Sequence, residues 1–156
     1  MNSLLVDQVR ELSEEVYLLS YLSNVIALLN DNISDINWVG FYFDNNIELV
    51  LGPFQGKIAC SHIKYDKGVC GSSFSNREVI VVDDVHKFVG HIACDSDSNS
   101  EIVLPLIYNG KCFGVLDIDS YKFSRFAIED KNILIDISKL ISEKISLYDN
   151  FASLII

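Results

Sequence analysis

Apolar side chains recur at Leu5, Val9, Leu12, Val16, Leu19, Leu22, Ile26 and Leu29, in steps of three and four. That is the rhythm of one buried helix face, and it predicts a helix over residues 3–30 that Asn30-Asp31-Asn32 stops. Leu4, Leu18, Val25 and Leu28 lie off that face. This is more apolar surface than a simple surface helix needs, and it points to a second packing partner such as another subunit. From Ile36 to Asp44 the pattern changes to aromatic and β-forming residues, which predicts a strand. Asp44-Asn45-Asn46 is a turn signal, and Ile47–Leu51 reads as the returning strand of a hairpin.

Residues 52–76 break the pattern with Gly52, Pro53, Gly56, Gly68 and Gly71, and an irregular stretch of that length is usually functional. A short strand at Val79–Val82 follows, then a second irregular stretch over 83–100. Ile102–Tyr108 and Lys111–Asp119 form a hairpin across Asn109-Gly110, a strong short turn signal. The last helix, about 128–149, repeats apolar residues at Leu134, Ile137, Ile141, Ile145 and Tyr148. This order predicts one α+β domain spanning 1–156, an antiparallel sheet with N- and C-terminal helices packed on it.

The composition, 49% hydrophobic and 22% charged over 156 residues, is that of a globular chain able to bury a core. No apolar run approaches the roughly eighteen residues of a membrane span, and the first residues lack the basic start and cleavage site of a signal peptide. With 12 Lys and Arg against 22 Asp and Glu, the net charge is −10. That balance argues against binding to nucleic acid or to an anionic membrane. A cytoplasmic chain is expected, in which cysteines stay reduced. The four cysteines are then core thiols, metal ligands or redox groups.

Cys60, Cys70 and Cys94 fall in the two irregular stretches, where reactive groups are usually placed. Cys112 opens a strand and reads as core or edge packing. Cys60, His62, Cys70, His91 and Cys94 are potential zinc ligands, but no pair has the spacing of a common structural site, so no metal is expected. A thiol nucleophile must ionise. Asp95 and Asp97 beside Cys94 oppose this and His91 favours it, so local sequence does not rank the three thiols. Asp117 and Asp119 flank Ile118 on a strand, and the two-residue period puts both carboxylates on one face. Glu101, at the start of the neighbouring strand, can join them. Like charges so close raise each other's pKa unless a cation holds them; such a group can bind an ammonium ion or supply a proton. Trp38 and Tyr42 share a face of the first strand, as core residues or as an aromatic wall for a methyl or thioether.

Gly90-His91-Ile92-Ala93-Cys94-Asp95-Ser96, continued by Ser100-Glu101-Ile102-Val103, resembles the signature of the free methionine-(R)-sulfoxide reductases, which are built on a GAF domain. Asn37 to Tyr42, Leu51 to Lys57, Gly68-Val69-Cys70-Gly71, Asp84-Val85-His86 and Gly114 to Ser120 are similar to the same family, in order from about 37 to 126. One departure is Ala127, where an acidic residue is common. The resemblance implies that Cys94 is the nucleophile and Cys60 the cysteine that pairs with it, with Cys70 a second resolving candidate. It implies that Glu101, Asp117 and Asp119 hold the substrate's amino group and assist proton delivery, and that Trp38, with Tyr42 close by, receives the methyl group. The implied substrate is free methionine sulfoxide and the implied partner a thioredoxin-type reductant. No bound cofactor is implied, and a homodimer is expected. Two other readings stand beside it: a GAF-type sensor of a small ligand, and a thiol or zinc switch.

Overall fold

The computed structural model describes residues 4–88 and 97–148. Its elements are α1 (Leu4–Leu12), α2 (Leu18–Asn32), β1 (Trp38–Asp44), β2 (Leu49–Gly56), β3 (His62–Ile63), α3 (Gly68–Asn76), β4 (Ile80–Val82), β5 (Ser100–Tyr108), β6 (Lys111–Ser120) and α4 (Ile128–Ser146). The strands form one six-stranded antiparallel sheet in the order β3-β2-β1-β6-β5-β4. The expected α+β architecture with helices at both ends is the observed one.

Period-two alternation sorts the sheet into two buried faces. Val39, Phe41 and Phe43 of β1, with Ile102, Leu104, Leu116 and Ile118, pack under α1, α2 and α4. Trp38 and Tyr42, with Val103 and Val115, turn to the opposite face and meet Val69 and Cys70 of α3. Burial on both faces is why β1 reads as an unbroken apolar run rather than an alternating one. The site described below lies on the α3 face.

The long N-terminal helix divides in two. At Ser13, Glu14 and Glu15 the backbone amides bond three residues back instead of four, the tightening that closes a helix. The Ser13 hydroxyl adds a bond to the Arg10 carbonyl, and the Glu15 carboxylate accepts the Tyr17 amide at 2.9 Å. Val16, in phase with the helical repeat, is instead 73% exposed in the break. Leu18 and Val25, the apparent surplus, are buried in the core, whereas Leu4 and Leu19 stay exposed.

The stretch 52–76 is more ordered than its glycines suggest. β2 runs on to Gly56 through a bulge, since Gly40 pairs with Phe54 but Tyr42 with Leu51. Pro53, which has no amide hydrogen to donate, sits in that bulge. Cys70 therefore lies on a helix, α3, and not in a loop. Nothing in Gly-Val-Cys-Gly-Ser-Ser-Phe repeats with a helical period; packing over the sheet holds α3 in place. A Cβ at Gly71 would stand 2.5 Å from the Lys64 carbonyl, so this position needs glycine for the close approach. In the second irregular stretch Asp84 caps a short 3₁₀ turn at Val85–Lys87 by accepting the His86 amide at 3.1 Å. Gly90, His91 and Cys94 lie outside the described residues.

Candidate active site

Three neighbouring strands bring the acidic residues together. Asp119 on β6 pairs with Trp38 of β1 on one side and Glu101 of β5 on the other, while Asp117 pairs with Gly40 and Val103. All project toward α3. The resulting pocket is lined by Trp38, Tyr42, Glu101, Asp117, Asp119 and Cys70, with Ile58 and Ala59 from the segment after β2, Lys67 to Val69 from the start of α3, and Ser98. Every sequence-predicted site residue within the described part lines this pocket, apart from Cys60, whose segment forms the rim.

The aromatic wall depends on one glycine. Trp38 stacks on Phe54 at 5.4 Å between centroids and on Tyr42 at 5.9 Å. Its indole lies over Gly40, where a Cβ would come within 2.4 Å of the ring. The indole Nε1 donates to the Lys57 carbonyl at 3.1 Å, and the Tyr42 hydroxyl donates to the Cys60 carbonyl at 3.0 Å. The polar ends of both rings are therefore spent on the rim segment, and their faces are left for an apolar group.

Opposite the wall, Glu101 is 5% exposed, Asp117 6% and Cys70 4%. Burial drives all three toward their neutral forms. The Glu101 carboxyl is held well above the usual carboxylate range, first by burial and then by the charges of Asp117 and Asp119. Asp117 is pushed up to about 7 by burial, against opposing hydrogen bonds from Cys70, Glu101 and the Ile118 amide. The Cys70 thiol is pushed up by burial and by the same carboxylates, a poor setting for a thiolate. Asp117 Oδ1 is buried without a hydrogen-bond partner, an acceptor that the fold leaves open. Such orphans cost free energy and call for an explanation. An ammonium ion supplied by a ligand would satisfy it.

The ligating atoms of Cys70, Glu101 and Asp117 lie within 4.8 Å of one another, so this trio is also where a divalent cation would fit. It shares only Cys70 with the ligands considered from sequence.

Cys60 is half-buried and disulfide-bonded, whereas Cys70 and Cys112 are free, buried thiols. Cys112 sits at the far end of β6, its thiol 3.5 Å from the Gly114 carbonyl, away from the pocket. Cys94 lies outside the described residues, but Asp97, three positions beyond it, forms an ion pair with Lys57, three positions before Cys60. Sequence reasoning missed this contact, as it missed Phe54, Ser98 and the first turn of α3. Residues so far apart in the chain carry no local signal of meeting.

Residues 12–146 match the GAF domain family. Over 117 residues the chain is 54% identical to the free methionine-R-sulfoxide reductase of Escherichia coli (strain K12), covering 75% of this chain and 71% of that protein. The solved structure of fRMsr of Staphylococcus aureus in its reduced form is 52% identical and superposes with a TM-score of 0.86, over 90% of this chain and 92% of that one. The free methionine-R-sulfoxide reductase of Neisseria meningitidis, solved in complex with its substrate, is 37% identical with a TM-score of 0.87, over 91% and 86% of the two chains. An acidic, aromatic-walled pocket on a GAF sheet and this level of identity agree: the chain belongs to the GAF-domain family of free methionine-R-sulfoxide reductases.

Proposed function

We propose that this protein reduces free methionine-R-sulfoxide to methionine, with Cys94 as nucleophile and Cys60 as the resolving thiol. The Cys94 thiolate attacks the sulfoxide sulfur while a neutral carboxyl of the Glu101–Asp117 pair protonates the oxygen. Oxygen passes from substrate sulfur to Cys94, methionine leaves, and Cys94 is left as a sulfenic acid. The Cys60 thiol then displaces that oxygen as water and closes a disulfide, which a thioredoxin-type dithiol reopens by exchange. The relatives above support the reaction and its R stereochemistry. The disulfide-bonded state of Cys60 beside a free Cys70, and the Lys57–Asp97 pair joining the two segments, support Cys60 as the resolving residue. Cys70 belongs instead to the pocket wall.

The observation that carries the substrate choice is the buried Asp117 oxygen without a partner, next to a second buried carboxyl and across from the aromatic wall. Free methionine sulfoxide has an ammonium group for the acids and a methyl group for the rings. A residue within a polypeptide lacks the ammonium. The test is turnover of free against N-acetylated methionine sulfoxide. Neutralising the amine should cost on the order of a hundredfold in kcat/KM, the usual penalty for stranding a buried charged partner; equal turnover of both compounds would refute the assignment. We place the protein in a reducing, cytoplasmic setting, in keeping with thiol recycling. We also propose a homodimer through the helical layer, where Leu4 and Leu19 remain exposed.

A further inference from the structure

We infer that Tyr42 is a positioning residue for the disulfide-forming step, and that the aromatic wall and the Cys60 segment work as one unit. This rests on the reading of Cys60 as the resolving thiol. The segment 57–61 leaves the sheet at Gly56 and returns at His62. Ala59 and Cys60 pack, partly buried, against the core on the α3 face, whereas Ile58 is 92% exposed. Hydrogen bonds from the wall and from β2 add to that attachment. The Trp38 indole holds the Lys57 carbonyl at the start, the Tyr42 hydroxyl holds the carbonyl of Cys60 itself, and the Leu51 amide holds Ser61 at 3.0 Å. Tyr42 is 2% exposed and its ring is fixed against Trp38, so the hydroxyl is a rigid mount, whereas the ion pair from Lys57 is exposed and easily broken.

Disulfide closure needs this fixity. The Cys60 thiolate must approach the Cys94 sulfur opposite the S–OH bond; the S–S bond forms as the S–O bond breaks, and the oxygen takes a proton and leaves as water. Holding a nucleophile within reach makes such a step effectively unimolecular, and slack of about 1 Å is costly. The sulfoxide-reducing step makes no use of Cys60. Loosening the mount should therefore separate two rates that are otherwise governed by one pocket.

The experiment is a single turnover of the reduced protein and its Tyr42→Phe variant, following methionine release by rapid quench and disulfide formation by alkylation and mass spectrometry. Phenylalanine keeps the ring in the wall and removes only the hydroxyl. The expected result is that disulfide closure slows roughly fivefold, as loss of one hydrogen bond allows. Methionine release should slow less, and a sulfenic acid that a dimedone trap captures should build up. Trp38→Phe, which removes the indole donor and keeps an aromatic face, should shift the ratio of the two rates the same way. An unchanged ratio in both variants, with the parent turning over, overturns this inference and leaves the assigned reaction standing. A parent that closes the disulfide without releasing methionine overturns the reaction and this inference with it.

Discussion

Asp117 keeps its proton in the folded, ligand-free chain up to about pH 7, whereas its ordinary value is 3.8. An unfolded chain gives that proton up near the ordinary value. Between the two the folded state binds the extra proton, so the associated stability is fully present below about pH 4 and is lost as the pH rises through about 7. At about 1.4 kcal/mol per pH unit, the interval from 3.8 to about 7 corresponds to roughly 4 kcal/mol. Glu101 shares the proton economy of the pair, so a change of about 2–4 kcal/mol is the reasonable expectation. Asp117→Asn keeps the shape and removes the titration. In urea melts of the ligand-free protein at pH 5 and pH 8, the parent should lose about 2–3 kcal/mol more than the variant, since only the two pH units from 5 to about 7 contribute. The remaining charges of the acidic chain act on both proteins alike, which is why the difference between them is the quantity to read. Parallel pH profiles for parent and variant would refute a buried, proton-holding Asp117. An ammonium-bearing ligand has the opposite sensitivity, because it pairs with the ionised form, so its affinity should rise as the pH climbs through about 7.

Gly114→Ala should be among the most damaging single changes in the sheet. Its φ is +152°, and a Cβ there would stand 2.1 Å from the Tyr42 carbonyl, so a loss of at least about 3 kcal/mol in chemical melts, or insoluble protein, is expected. A variant melting like the parent would remove the case for close approach of β1 and β6. Cys112→Ser, at the far end of β6, should keep turnover and disulfide formation while costing about 1–2 kcal/mol for a hydroxyl in a buried thiol site. Loss of activity in a folded Cys112→Ser protein would mean that the redox roles are wrongly divided.

Much of the sheet was legible because its signals are local. The Asn109-Gly110 turn has both residues at positive φ, 48° and 79°, the conformation such pairs favour in tight hairpins. It sets the pairing next to the turn, Tyr108 with Lys111 and Ile107 with Cys112. A register shift between Pro105 and Ile107, which no local signal marks, then brings Glu101 opposite Asp119, while the shared face of Asp117 and Asp119 follows from the two-residue period. The helix break at Ser13 to Tyr17 was hidden by an apolar repeat that stays in phase across it. What ends α1 is the tightened last turn and the Ser13 hydroxyl on the Arg10 carbonyl, with Glu15 accepting the Tyr17 amide just ahead of α2, chemistry that an apolar repeat does not carry. α3 was hidden for the opposite reason, since it is a helix made by tertiary contact from a sequence that would not form one alone. Placing Cys70 in a loop followed from that, and its buried, carboxylate-flanked thiol could not be foreseen. The grouping of Cys60 with the aromatic wall depends on hydrogen bonds from Trp38 and Tyr42 to backbone carbonyls, which no residue pattern announces.

Reduction of free methionine-R-sulfoxide through Cys94 is the proposed reaction. Separated R and S isomers of free methionine sulfoxide, each assayed with a thioredoxin system on the parent and on Cys94→Ser, test it most directly. The account predicts methionine from the R isomer with the parent, little from the S isomer, and none from either with the variant. Undiminished turnover in Cys94→Ser, or no turnover of either isomer by the parent, would contradict it.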